Sequence, residues 1–162
     1  MTEDSALDDA PVTPSSEHIR EATPADAVAY RSILERSSRQ DRYYRFLHSV
    51  NVIPDAELSG YLGGPDTVAY AAVDGEDVVG LIHATTEGAK AELAIIVVPE
   101  CRRHGVGRAL MERLIEGLRA RGVRELVAYS LTENEHFATL VLHCGMRRLE
   151  TDFGVDLWHR DL

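Results

Sequence analysis

The segment Arg102-Arg103-His104-Gly105-Val106-Gly107-Arg108 sets two glycines among basic side chains, directly after an apolar run and directly before a helical pattern. Main-chain N–H groups at a helix start lack intrahelical acceptors and sit at the positive end of the helix dipole, so such a loop can hold an anion. Glycine serves it twice: without a Cβ a phosphate can reach the main chain, and the turn can take a positive φ. Arg103 and Arg108 would add charge. The bland alternative is that the glycines only let a tight turn feed a helix. Two other phosphate loops are excluded: there is no Walker Gly-Lys-Ser/Thr, and position 110 is leucine where a G-x-G-x-x-G loop requires glycine.

Ten residues before Arg102 stands Glu92, a carboxylate in the otherwise apolar run Ala91 to Val98. It is either a strand residue that reaches water or an ion partner, or a proton acceptor. His136 and His143 lie on one helical pattern, with His143 next to Cys144. Surface histidines and a buried core cysteine account for them, so a Cys-His nucleophile is rejected. Cys101 and Cys144 show no Cys-x-x-Cys spacing, which gives neither a disulfide framework nor a zinc site, and no metal is expected.

The elements that must position these residues read clearly. His18 to Glu21 predicts a short strand. Thr23-Pro24-Ala25-Asp26 opens a helix to about Glu35, with a capping Thr, Pro at the first helical position and Asp at the positive end. Further helices are expected at 38–46 and 54–62. The strands 68–73 and 78–83 flank Asp74-Gly75-Glu76-Asp77, a hairpin signal. The run 91–98 predicts a strand buried on both faces and stopped by Pro99. Val106, Leu110, Met111, Leu114, Ile115 and Leu118 follow helical spacing up to Gly122, and a strand at 126–131 completes a strand–helix–strand crossover with parallel strands. A helix from Asn134 to Cys144 and a hairpin around Gly154 follow.

The length of 162 residues suits one domain. A disordered acidic tail is expected at 1–16, which carries Glu3, Asp4, Asp8 and Asp9 without a basic residue, leaving a folded domain at 17–162. The formal charge of −10 argues against a nucleic-acid partner. No apolar run is long enough to span a membrane and no basic secretory start is present, so a cytoplasmic protein is expected.

Strand, Pro99-Glu100-x-Arg102-Arg103-x-Gly105-Val106-Gly107-Arg108, then an amphipathic helix, resembles the acyl-CoA loop of the GNAT superfamily of N-acetyltransferases. Asn134, starting a helix that ends Cys144-Gly145-Met146, resembles that family's cofactor-contacting Asn and its following Leu-Gly-Phe. The resemblance runs from His18 to Arg160. It implies an α/β protein with a mixed, largely antiparallel sheet of six or seven strands, in which the central parallel strands 91–98 and 126–131 splay apart, flanked by helices. It implies acetyl-CoA as cosubstrate: main chain near Ile95 and Val97 would hold pantetheine, the Arg102, Arg103, His104, Gly105, Val106, Gly107 and Arg108 loop the pyrophosphate, and Asn134 a further contact. Within the superfamily, Glu92 matches the general base of the bacterial Pat-type protein lysine acetyltransferases. Ser38-Arg39-x-x-Arg42-Tyr43-x-Arg45-Phe46 also resembles a segment of that subgroup, which makes Arg42 and Tyr43 candidate acceptor contacts.

Only a neutral amine attacks a thioester, and a lysine of pKa about 10.4 is neutral in roughly one molecule of 2,500 at pH 7. A base is therefore needed, and partial burial of Glu92 is expected to raise its basicity. The family's proton-donating Tyr would stand at position 141, which is valine here. The expected function is acetylation of protein lysine by direct attack. The alternatives are acetylation of a small-molecule amine and a non-catalytic acyl-CoA sensor. A monomer or homodimer is expected.

Overall fold

The computed structural model describes residues 18–49, 52–102 and 104–162. The tail expected at 1–16 therefore lies outside the described residues, as does Arg103. Among the described residues seven strands form one sheet: β1 (Ile19–Glu21), β2 (Thr67–Asp74), β3 (Asp77–Glu87), β4 (Lys90–Val97), β5 (Glu125–Leu131), β6 (Arg147–Asp152) and β7 (Val155–Asp161). Their order is β1-β2-β3-β4-β5-β7-β6, and every neighbouring pair is antiparallel except β4–β5. This is the mixed, largely antiparallel sheet that the family resemblance implied.

Among the described residues five α-helices cover it: α1 (Ala27–Arg36), α2 (Arg39–Phe46), α3 (Asp55–Leu62), α4 (Val106–Ala120) and α5 (Glu135–His143). A single 3-10 turn, Pro24–Asp26, leads into α1, and the Asp26 carboxylate accepts from the Thr23 N–H at 2.9 Å. Burial raises the energy of that carboxylate, but the Arg20 guanidinium outweighs it and holds the Asp26 pKa below the usual range. Ser38 caps α2: its hydroxyl accepts from the Asp41 N–H at 3.0 Å while Asp41 accepts from the Ser38 N–H at 3.2 Å, a reciprocal capping box.

The apolar stripe of α4 lies on β2, β3 and β4, and all six of its periodic residues are buried. α1 and α3 pack on the opposite face, against β2 and β3. The helices are held close by small residues. A Cβ on Gly117 would stand 2.0 Å from the Tyr70 hydroxyl, so the glycine is the notch through which α4 settles over β2.

One expectation needs correction. The sequence suggests a β4 buried on both faces, but only Ala91, Leu93 and Ile96 are buried; Ala94, Ile95 and Val97 are half-buried and Glu92 is exposed. The reason is local. β4 pairs with β3 from Lys90 to Val97 but with β5 only at Lys90–Glu125, Ala91–Leu126 and Glu92–Val127, beyond which the two strands diverge.

Gly117→Ala should lower unfolding stability by about 1–3 kcal/mol, because the buried Tyr70 must be displaced. Gly60→Ala, inside α3 with nothing within 4 Å of the new Cβ, should raise it by about 0.5–1 kcal/mol. Urea midpoints of the two variants against the parent chain check both signs.

Candidate active site

Where β4 and β5 part, the main chain of β4 is left with an open edge. Val98 donates its N–H to the Val79 carbonyl at 2.9 Å, which fixes the alternation: even-numbered residues bond to β3, and the odd-numbered Leu93, Ile95 and Val97 present their groups to the gap. The gap widens into a cleft of ≈ 1550 Å³ that passes through the sheet. On one side it is bordered by the N-terminus of α4 and by α5; on the other, α2 lies over β4 and β5.

At the first mouth Gly105 sits at φ 83° as the N-cap of α4. The helical ladder begins with the Ala109 N–H on the Gly105 carbonyl at 3.0 Å, so the N–H groups of Val106, Gly107 and Arg108 have no acceptor within the helix. Gly107 also admits α5: a Cβ there would meet Leu140 Cδ2 at 3.3 Å. Gly105, Gly107, Arg108, Ile95, Val97 and Asn134 all line the cleft. The donor set fits a diphosphate carried on a long apolar arm, with amides at one end and a strand edge at the other.

The remaining loop residues have other surroundings. Val106 is buried, so only its main chain is offered. His104 is half-buried. Arg102 lines the cleft but its guanidinium is committed: Nε donates to the Val97 carbonyl at 3.1 Å and Nη1 to Asp41 at 2.9 Å. Burial pushes the Asp41 carboxyl up, and hydrogen bonds from Ser38 and Arg102 more than compensate, holding its pKa below the usual range. Asn134 caps α5, accepting from the Phe137 N–H at 3.2 Å. Cys144 is buried and His136 and His143 are exposed, as expected, although both histidines border the cleft. Val141, on the inner face of α5, is fully buried.

On the second side, Glu92 lines the cleft, yet it is exposed rather than partly buried, so the expected desolvation is not found. Its neighbours come from register: Glu92 pairs with Thr85 and Ala94 with His83, which puts Glu92 and His83 on one face of the sheet, one diagonal step or roughly 7–8 Å apart. The two acceptor candidates are not brought to the cleft. Arg42 instead caps the end of α1, donating to the Leu34 and Ser37 carbonyls at 3.2 and 2.6 Å, and Tyr43 points to solvent, 37% exposed. Their sequence neighbours Tyr44, Arg45 and Phe46 line it instead.

The largest feature missed from sequence is the group around His83. Arg45 donates from Nε to the Tyr30 hydroxyl at 2.7 Å and from Nη2 to His83 Nε2 at 3.0 Å, and the Tyr30 hydroxyl lies 3.2 Å from the same nitrogen. Arginine can only donate, so Nε2 is the acceptor and the neutral ring carries its proton on Nδ1. Tyr61 stacks on His83 with centroids 4.8 Å apart and donates its hydroxyl to Glu57 at 2.6 Å. Burial, and then the Arg45 cation, push the His83 pKa well below the usual histidine range. Burial and the Glu57 contact push Tyr61 up to about 12. A histidine amid alternating strand residues gives no sequence signal; only the register with α1 and α2 reveals it.

The architecture is that of known N-acetyltransferases. The GNAT domain of S. lividans PAT superposes with a TM-score of 0.82 at 25% identity, covering 89% of each chain. The PaiA N-acetyltransferase of Thermoplasma acidophilum, solved in complex with coenzyme A, gives 0.68 at 14% identity over 89% of this chain and 98% of that one, a likeness of fold. Residues 29–146 match the acetyltransferase (GNAT) family, and the chain belongs to it. Serotonin N-acetyltransferase 2, chloroplastic, of Oryza sativa subsp. japonica is 31% identical over 116 residues, 68% of this chain and 52% of that protein. The chain thus spans about half the length of this curated relative.

His83 supplies a pH test. Between its depressed folded pKa and the unfolded value near 6.5, the unfolded chain binds the extra proton, so stability rises with pH and falls on acidification. The slope from this group approaches about 1.4 kcal/mol per pH unit below pH 6.5. Unfolding free energies from urea titrations at pH 7 and pH 5.5 should fall less in His83→Gln than in the parent; equal losses would show that His83 is not held neutral.

Proposed function

We propose that this chain transfers the acetyl group of acetyl-CoA to an amine, the side chain of a protein lysine, with Glu92 as general base. One observation carries the reading: the cleft passes through the sheet, so that the amides at the start of α4 and the carboxylate of Glu92 open into the same space from opposite sides. Acetyl-CoA would supply the thioester, its diphosphate against the N–H groups of Val106 to Arg108 and its arm along the odd-numbered edge of β4. Arg103, in the same loop, would add charge.

The amine nitrogen attacks the carbonyl carbon, the new C–N bond forms and the C–S bond breaks. Glu92 takes the proton lost by the amine, directly or through one water, as its exposure in the open cleft allows. The thiolate leaves and is protonated by solvent; with a thiol pKa of about 8.5 it is a tolerable leaving group, consistent with a valine where a donor tyrosine would stand. The acceptor would close the cleft over Glu92 and exclude bulk water from the proton transfer.

A lysine acceptor is supported by the resemblance of Glu92 and of the 38–46 segment to the Pat-type enzymes and by the likeness to the S. lividans PAT domain. The likeness to a plant serotonin N-acetyltransferase favours a second reading, a small-molecule amine acceptor. The same base and cleft would serve it.

Glu92→Gln should lower kcat/KM for any productive amine by about 10²–10⁴-fold and flatten the pH–rate profile, while leaving coenzyme A affinity unchanged. Thiol release and calorimetry on the same preparations separate the two effects; an unaltered rate and profile would remove Glu92 from the mechanism.

A further inference from the structure

Arg45 is a cation on the acceptor side of the cleft, and no carboxylate pairs with it among the described residues. Its two protein acceptors, the Tyr30 hydroxyl and His83 Nε2, are both neutral. Of the nearby acids, Glu57 takes the Tyr61 hydroxyl, Asp41 takes Arg102 and the Ser38 main chain, and Glu92 stands one diagonal step beyond His83. The guanidinium is also fixed in plane, lying over the rings of Phe46 at 4.4 Å and Tyr61 at 5.3 Å. A guanidinium has five N–H donors, and two are spent on one side, which leaves three on a rigid fork that lines the cleft. A rigid fork without a carboxylate partner is the arrangement that selects a planar anion bidentately.

We propose that Arg45 forms a carboxylate subsite on the acceptor side, so that the preferred acceptor carries a carboxylate in addition to the amine that is acetylated. The amine half of this statement rests on the transfer reading above; the subsite does not. Register sets the scale. His83, which holds Arg45, is one diagonal step along the sheet from Glu92, so the amine and the carboxylate lie several bonds apart on the acceptor rather than on one carbon. Two sources offer that chemistry: the free carboxylate of an amino acid whose side-chain amine reacts, and an acidic side chain beside a lysine in a peptide.

The probes are Nα-acetyl-lysine and its amide, which differ only in the carboxylate, and blocked Lys-Glu and Lys-Gln peptides, which move the carboxylate to a neighbouring side chain. Calorimetry in the presence of coenzyme A should show the carboxylate member of at least one pair binding about tenfold tighter or more to the parent protein. The pair showing the preference identifies the source. In Arg45→Gln the preference should collapse, and in Arg45→Lys, a charge without a fork, it should shrink to a few-fold. Equal affinity within both pairs for the parent protein overturns the subsite, as does a preference that survives in Arg45→Gln; Arg45 is then a strut for α2. If Arg45→Gln fails to fold, the parent comparison and Arg45→Lys decide. Thiol release from acetyl-CoA with the same probes separates the two claims. Turnover without a carboxylate preference sinks the subsite alone, and a carboxylate preference without turnover sinks the transfer reading alone.

Discussion

β4 and β5 share only three paired positions before they diverge, and the rest of the structure follows from keeping them apart. Main-chain donors and acceptors are obligatory hydrogen-bonding groups, so an open edge in the middle of a sheet is tolerable only where water or a ligand can meet it. Two devices prevent closure. On one face Gly107 lets α4 and α5 meet at Leu140, wedging the helices beneath the gap. On the other, Arg102 ties the end of β4 to α2 through the Val97 carbonyl and Asp41. The cleft is therefore part of the fold.

The two halves of that cleft have opposite electrostatic designs. The α4 side offers dipoles: three amides without helical acceptors, and Arg108, whose charge is shared with the exposed Glu112 at 3.2 Å. Such a surface ion pair contributes little, so main chain dominates. The α2 side sets Arg45 among the neutral groups around His83, with the carboxylates Glu57 and Glu92 lining the same side. His83 is kept neutral by burial and by Arg45, and two tyrosines add low-polarity walls with polar tips. A protein with a formal charge of −10 thus places a positive centre where the acceptor would enter. Net charge gives the sign of the surface as a whole, not of a particular cleft.

Much of the fold was legible because its signals are local. The periodic stripe of α4, the Asp-Gly hairpin and the paired glycines before α4 each fix a short stretch of backbone, and each was found where expected. What failed depended on long-range pairing. The apolar composition of β4 reads as burial on both faces, but burial is decided by how far β5 follows it. Arg42 and Tyr43 were chosen from a linear pattern; the phase of α2 turns Arg42 back to the end of α1 and swings Tyr44 and Arg45 inward. The His83 group joins residues from α1, α2, α3 and β3, and no motif spans such distances.

Arg102 shows why a motif names residues more surely than it names their work. An arginine in a phosphate loop is naturally read as a phosphate ligand, and its chemistry permits that. Here its fork bridges a strand carbonyl and a carboxylate, both partly shielded from water, where charge-assisted hydrogen bonds are stronger than at the surface. Turning it toward a diphosphate would strip Asp41 of its cation and free the Val97 carbonyl. The exchange is unfavourable unless the diphosphate offers more than both together. The main-chain amides make no such exchange, since nothing inside the helix competes for them. The grip on an anion at this mouth would accordingly fall to the backbone of α4, and the arginine's part is to tie the end of β4 to α2.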